Sequence, residues 1–222
     1  MSTRPFTAVL FDLDGTISDS APGIVDSLRY MLDQLELPVP PLETLLTFVG
    51  PPILETFRSA LHMDPPTEAR ALSIYRAHYL AHGVLDSRMF PGIDTVIETL
   101  HRSGVPMSTA TSKPETPATA MLERYGLTRD IDVITGASDD ETRSDKADVV
   151  AEALRRLGGR GFDISRPVLI GDRSHDVTGA AANGVPTIFA AWGYGQPAEA
   201  RGAIAVAAQP LDLLPMLLPD HA

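Results

Sequence analysis

The chain has 222 residues, 44% of them hydrophobic and 21% charged, a composition that supports a core of ordinary size and excludes a disordered tail or a membrane-embedded bundle. Eighteen basic against twenty-nine acidic residues leave a formal net charge of −11, which repels nucleic acid and anionic lipid and excludes both as first-choice partners. With no cysteine in the chain, disulfides, thiolate metal sites and a cysteine nucleophile are ruled out, so any hydrolysis needs another nucleophile.

The apolar run Ala8-Val9-Leu10-Phe11, stopped by Asp12 and Gly15, predicts a first strand buried on both faces of a parallel sheet. It is too short for a signal peptide, and a cytoplasmic location is expected. Residues 17–87 carry no convincing buried strand; helical spacing over 23–35, 53–61 and 68–82, broken at Pro38-Val39-Pro40-Pro41, Gly50-Pro51-Pro52 and Pro65-Pro66, predicts an all-helical insert joined by short connections. From there on, helical spacing (93–102, 116–125, 146–157, 176–183) alternates with short apolar runs (105–110, 131–135, 168–170, 185–190). Five strands with helical crossovers make an α/β doubly wound parallel sheet in three layers. Residues 211–218, broken by Pro215, read as a closing helix. The expected division is a core of 1–16 and 88–222 with 17–87 as a helical cap.

Asp12-Leu13-Asp14-Gly15-Thr16 sets two carboxylates two residues apart at the C-terminal end of a strand, where open α/β sheets bind ligands. Thr111-Ser112-Lys113-Pro114 offers a hydroxyl and backbone donors at a second strand end, and Gly171-Asp172-Arg173-Ser174-His175-Asp176 adds two carboxylates at a third. Four aspartates in one crevice repel one another unless a cation sits among them or their protons are retained. Oxygen-only ligands favour magnesium over a transition metal. Lysine usage adds to this: of the eighteen basic residues only Lys113 and Lys146 are lysine, and both follow strand-end or loop signals where a compact point charge is useful.

Taken in order, Asp12-Leu13-Asp14-Gly15-Thr16, Thr111, Lys146, and Gly171-Asp172 with Asp176 resemble the four motifs of the haloacid dehalogenase-like superfamily across nearly the whole chain. The helical insert and Thr111-Ser112-Lys113-Pro114 are similar to the phosphoglycolate phosphatase-like branch, although relatives there often have Asn where this chain has Ser112. The resemblance implies a Rossmann-like core and a magnesium-dependent phosphomonoester phosphatase acting on a small phosphorylated metabolite. Asp12 would be the nucleophile and form an aspartyl-phosphate, and Asp14 the acid and then the base. Magnesium would be held by Asp12, the Asp14 backbone carbonyl and Asp172, with Asp176 steadying the metal shell or Lys146. Thr111 and Lys146 would stabilise the phosphoryl group, with Gly15, Thr16, Ser112 and Lys113 in the substrate site and the Gly50-Pro51 loop reading the leaving group.

The resemblance places 2-phosphoglycolate first among substrates. Nucleoside monophosphates, pyrophosphate and sugar phosphates (phosphatase or mutase) are the alternatives, followed by transfer to a protein hydroxyl and a receiver-like signalling domain. Asp14 argues against dehalogenase chemistry, and the absence of lysine from residues 17–87 argues against the Schiff base of phosphonate-cleaving relatives. His175 is expected in a supporting or surface role, Trp192 either at the site entrance or packed beneath it, and His62, His78, His82, His101 and His221 on solvated helix faces. A monomer and a dimer fit the sequence equally.

Overall fold

The computed structural model describes residues 4–140 and 142–218; His221 and residues 219–222 of the expected core segment lie outside them. In chain order the elements are β1 (Ala8–Phe11), β2 (Ser18–Asp19), α1 (Ala21–Gln34), α2 (Leu42–Thr47) and α3 (Ile53–Glu55), which widens into a π turn over Thr56–Ala60. Then come α4 (Pro65–His78), ending in a second π turn (Tyr79–Gly83), β3 (Arg88–Met89), α5 (Ile93–Arg102), β4 (Met107–Thr109), β5 (Thr111–Pro114) and α6 (Glu115–Tyr125). The remainder is β6 (Gly136–Ala137), α7 (Lys146–Gly159), β7 (Pro167–Gly171), α8 (Ser174–Ala181), β8 (Thr187–Ala190), β9 (Ala205–Ala207) and α9 (Leu213–Leu217).

The central sheet has strand order β4-β1-β7-β8-β9, every neighbouring pair parallel. Alternate residues of β1 explain its unbroken apolarity: Val9 and Phe11 enter one core with Ile93, Ile97 and Leu213, while Ala8 and Leu10 enter a second with Val149, Val150 and Ala180. Both faces are covered by helices, as a parallel sheet requires. Phe11 stands opposite Thr109 on one side and Ile170 on the other. This register delivers Asp12, Thr111 and Asp172 to one edge of the sheet.

The insert is helical, but two details differ from the sequence reading. Ser18–Asp19 forms a short strand, antiparallel to Arg88–Met89, so the two chain crossings between sheet and insert run side by side as a ribbon. Leu42–Thr47 is an additional short helix, with Leu45 buried and Leu42 and Leu46 exposed.

The expected strand over 131–135 runs beside β4 without becoming regular. Thr109 N donates to Val133 O (3.1 Å) and Val133 N to Met107 O (3.2 Å), but Thr135 N donates to the Thr109 hydroxyl (2.8 Å), which in turn donates to Thr135 O (2.9 Å). A side chain replaces one backbone rung and interrupts the ladder, which resumes at Thr111 N–H donating to Thr135 O (3.3 Å) and the parallel β5–β6 pair. The sheet's far edge is instead β9, whose Val206 is exposed. His78 also departs from expectation, stacking on Tyr30 with ring centroids 4.2 Å apart and sharing a hydrogen bond with Ser27 (3.0 Å). Among the described residues no helix is long and apolar enough to cross a membrane.

Candidate active site

Asp12 follows β1 directly, and its backbone N–H donates to Ile170 O (2.8 Å), continuing the sheet to the last residue. Beyond it the chain turns sharply: Leu13 O accepts from the N–H groups of Thr16, Ile17 and Ser18. Gly15 sits in this turn at φ +86°, and a β-carbon there would fall 2.3 Å from Asp172 Oδ2. Only glycine meets both conditions.

Lys146, at the start of α7, has its helix entry fixed by Asp145, whose carboxylate accepts from Ala147 N (2.8 Å). Its ammonium lies 2.8 Å from Asp12 Oδ1 and 2.7 Å from Asp176 Oδ1, and donates to Ala110 O at 2.9 Å. All three side chains are buried. Burial alone would push the lysine down, but Asp12 and Asp176 override it and hold it above its ordinary value. Burial likewise pushes Asp12 up from 3.8 to about 6, against the attraction of Lys146 and with repulsion from Asp176 and Asp14 added.

Asp172, after β7, accepts from Tyr194 N (2.7 Å) and from the Thr16 hydroxyl (3.3 Å). Burial, then Asp176 and Asp12, push its carboxyl well above the usual range. Asp176 goes the other way: burial would raise it, but Lys146 dominates and holds it low. Asp12, Asp172 and Asp176 each offer an oxygen within 4.8 Å of the others. Three buried carboxylates with one ammonium between two of them leave negative charge unbalanced, and the donors are all hard oxygens. The set fits a divalent cation of the magnesium type. The Asp14 side chain is outside this cluster.

Asp14 stands on the other side of the turn. One carboxylate oxygen accepts from the Ser20 hydroxyl (2.5 Å), the other from Lys113 (2.7 Å). The Lys113 ammonium also lies 4.5 Å from the centre of the Tyr79 ring. Lys113, expected in the substrate site, both holds Asp14 and lines the adjoining cavity. Ser112 lines the same cavity, and its hydroxyl is buried with no hydrogen-bond partner among the described residues. Thr111 is buried, its hydroxyl accepting from Lys113 N (3.2 Å). Thr16 is turned away, its hydroxyl on Asp172 and its carbonyl accepting from Trp192 Nε1 (3.0 Å). Gly15 and Thr16 therefore shape the Asp172 side of the site and do not line the cavity.

The Gly50-Pro51 loop reaches this edge from the insert. Arg173 donates to Val49 O (2.5 Å) and to Glu199 (3.0 Å). Gly50 has φ +106°, and a β-carbon there would lie 3.1 Å from Arg173 Cγ and 3.5 Å from His175 Cε1. Burial drives His175 down from 6.5 to about 4. Gly50 and Pro51 line a cavity of about 310 Å³ between insert and sheet edge, together with Asp14, Ser112 and Lys113. Sequence reasoning missed Tyr194, Asp139 and the insert side chains that face this cavity. The glycines flanking Tyr194 in Gly193-Tyr194-Gly195 were the one readable signal.

A model of the haloacid dehalogenase-like hydrolase family matches residues 9–190. The chain belongs to that family. It is 44% identical over 188 residues to the tyrosine-protein kinase PtkA of Mycobacterium tuberculosis, a match covering 85% of this chain and 63% of that protein. The chain thus spans less than two thirds of that relative's length. It is 34% identical to a 5'-nucleotidase of Pseudomonas aeruginosa (87% of this chain, 86% of that protein) and 32% identical to a phosphoglycolate phosphatase of Cupriavidus necator (96% and 94%). The solved structure of a predicted phosphatase from Clostridium acetobutylicum superposes with a TM-score of 0.89 at 33% identity, covering 96% of this chain and 99% of that one.

Proposed function

We propose that the protein is a cytoplasmic, magnesium-dependent phosphomonoesterase that works through an aspartyl-phosphate on Asp12. The observation that carries this reading is the buried Asp12–Lys146–Asp176 chain, 2.8 and 2.7 Å long at its two links, with Asp172 beside it and a substrate-sized cavity adjoining. A carboxylate becomes a useful nucleophile toward a phosphoryl group when it is fixed, desolvated and charge-balanced. Lys146 holds Asp12 Oδ1 in place and compensates the charge of the phosphoryl oxygens as Asp12 attacks.

In this mechanism an Asp12 oxygen forms a bond to phosphorus while the ester P–O bond breaks, and Asp14 delivers a proton to the leaving oxygen. Asp14 then takes a proton from a water that attacks the same phosphorus, which releases phosphate and restores Asp12. Ser20 and Lys113 hold the Asp14 carboxylate in place between these events. The Thr111 and Ser112 segment receives the phosphoryl oxygens. Asp12, Asp172 and the Asp14 backbone carbonyl would hold the magnesium ion, with Asp176 behind them; when bound, it supplies positive charge that offsets repulsion between nucleophile and substrate.

Residues 17–87 act as a cap domain that closes over the sheet edge and excludes water from the first step. The paired crossings Ser18–Asp19 and Arg88–Met89 serve as its hinge. The names of the relatives diverge among kinase, nucleotidase and phosphoglycolate phosphatase, so 2-phosphoglycolate, first by resemblance, heads a panel of candidates. A second reading, transfer of the phosphoryl group to a protein hydroxyl, is favoured by the 44% identity to PtkA.

The test is phosphate release from 2-phosphoglycolate, nucleoside monophosphates, sugar phosphates, pyrophosphate and phosphotyrosine, with and without magnesium. Magnesium-dependent release from at least one ester, lowered at least about a thousandfold in Asp12→Asn, is the expected result. Consumption of an ester with no phosphate released, the phosphoryl group appearing instead on a protein acceptor, would replace hydrolysis with transfer. Release that ignores both magnesium and Asp12→Asn would overturn the mechanism.

A further inference from the structure

The cavity beside Asp14 is chemically lopsided. Asp14, Ser112 and Lys113 meet on its sheet side; the insert side is mostly Phe48, Ile53, Tyr75, Tyr79 and Leu80, with Arg76 its one charged residue among the described lining. Its volume of about 310 Å³ lies at the lower end for sites that bury a whole organic ligand, and is far more than a two-carbon acid needs. The cations among its described lining residues are Lys113 and Arg76. Lys113 is committed to Asp14 at 2.7 Å and to the Tyr79 ring at 4.5 Å, and Arg76 is itself engaged. Asp139 adds negative charge to the same lining. A second carboxylate, such as that of glycolate, would meet apolar walls, an anion and two occupied cations.

We propose that the ester group recognised here is a phenol: the substrate class is an aryl phosphate monoester whose ring lies against Phe48, Tyr75 and Tyr79. This rests on the assignment of Asp14 to the leaving-group side of the reaction. Aromatic surface begins immediately there, because Tyr79 touches the ammonium that holds Asp14. A ring bonded directly to the departing oxygen meets that surface at once and stacks favourably. A nucleotide would instead set ribose hydroxyls against the largely apolar insert wall, with Ser112 Oγ the one unpartnered buried hydroxyl lining the cavity among the described residues.

Because phenols leave more readily than alcohols, turnover alone would favour aryl esters on any phosphatase; the test therefore reads binding. Phenyl phosphate, phosphotyrosine, 2-phosphoglycolate and adenosine monophosphate are titrated calorimetrically into the Asp12→Asn protein with magnesium, and into the same protein carrying Ile53→Arg. Ile53 is half-buried, so the added cation reaches the cavity wall without disrupting the core. The aryl esters should bind at least about tenfold tighter than the other two, and Ile53→Arg should erase that margin while leaving 2-phosphoglycolate unchanged or tighter. Equal or tighter binding of 2-phosphoglycolate or adenosine monophosphate, an aryl margin untouched by Ile53→Arg, or no binding of any ester would each overturn the proposal. An intact aryl margin in a wild-type protein that releases no phosphate would instead remove the phosphatase reading and leave the recognition of aryl esters standing.

Discussion

The two lysines of this chain sit side by side at one sheet edge and work in opposite surroundings. Lys146 is enclosed by Asp12, Asp176 and the Ala110 carbonyl, in a pit where charge is gathered and balanced. Lys113 spans from Asp14 to the face of Tyr79, where the same kind of charge marks the boundary of an apolar cavity. Both are buried, so the difference is one of partners and not of depth. On the proposed mechanism it separates the work of the site in two: the pit would supply the phosphoryl chemistry, and the cavity would select what the phosphoryl group is attached to.

The sharpest way to break this comparison is Lys146→Met. Removing the cation strands the two buried carboxylates it pairs, Asp12 and Asp176, and the expected loss is about 3–5 kcal/mol of stability at neutral pH, read from urea unfolding in the absence of metal. Magnesium should restore part of it by taking over the charge balance. An unchanged unfolding midpoint would mean that the pit does not depend on its lysine.

A smaller effect concerns pH. In metal-free protein Asp12 titrates near 6 against an ordinary 3.8, so between those values the native state keeps a proton that the unfolded chain has lost, and stability falls as pH rises. Asp172 is shifted the same way. His175 opposes them: lowered from 6.5 to about 4, it lacks a native-state proton that the unfolded chain binds, and its contribution grows as pH rises through that window. His175→Gln should therefore steepen the fall between pH 4 and 6 by on the order of 1–3 kcal/mol, and magnesium should flatten it. Identical slopes with and without the histidine would contradict this balance.

The pit and the polar side of the cavity were legible in the sequence and the cavity's apolar wall was not, for a physical reason. Asp12, Asp14 and Asp172 stand where apolar runs stop and Lys146 opens a helix after a polar loop, and a parallel sheet brings such strand ends and helix starts together. Phe48, Ile53 and the Tyr75/Tyr79 pair come from three segments of the insert, in each of which an apolar residue facing the cavity has the same spacing as one facing the core. Lys113 shows the limit on the core side: its place in the motif suggested substrate contact, but its reach to Asp14 depends on how β5 leaves the sheet. The same reasoning covers the fold. The long helices were readable from their periodicity, while Ser18–Asp19 and Ala205–Ala207 are too short to carry one. The run at 131–135 was apolar enough for a strand, but the Thr109 and Thr135 side-chain hydrogen bonds interrupt its ladder before it resumes as β5–β6.

The central claim is that Asp12 carries the phosphoryl group. Rapid mixing of enzyme and magnesium with whichever ester of the panel turns over fastest, acid quenching within one turnover, and mass spectrometry of the peptide containing Asp12 test it directly. The account predicts a phosphoryl group on Asp12 that decays as free phosphate appears and is absent from Asp12→Asn. Phosphate release at full rate from Asp12→Asn, or release from the native enzyme with no phosphoryl group ever trapped on that peptide, would contradict it.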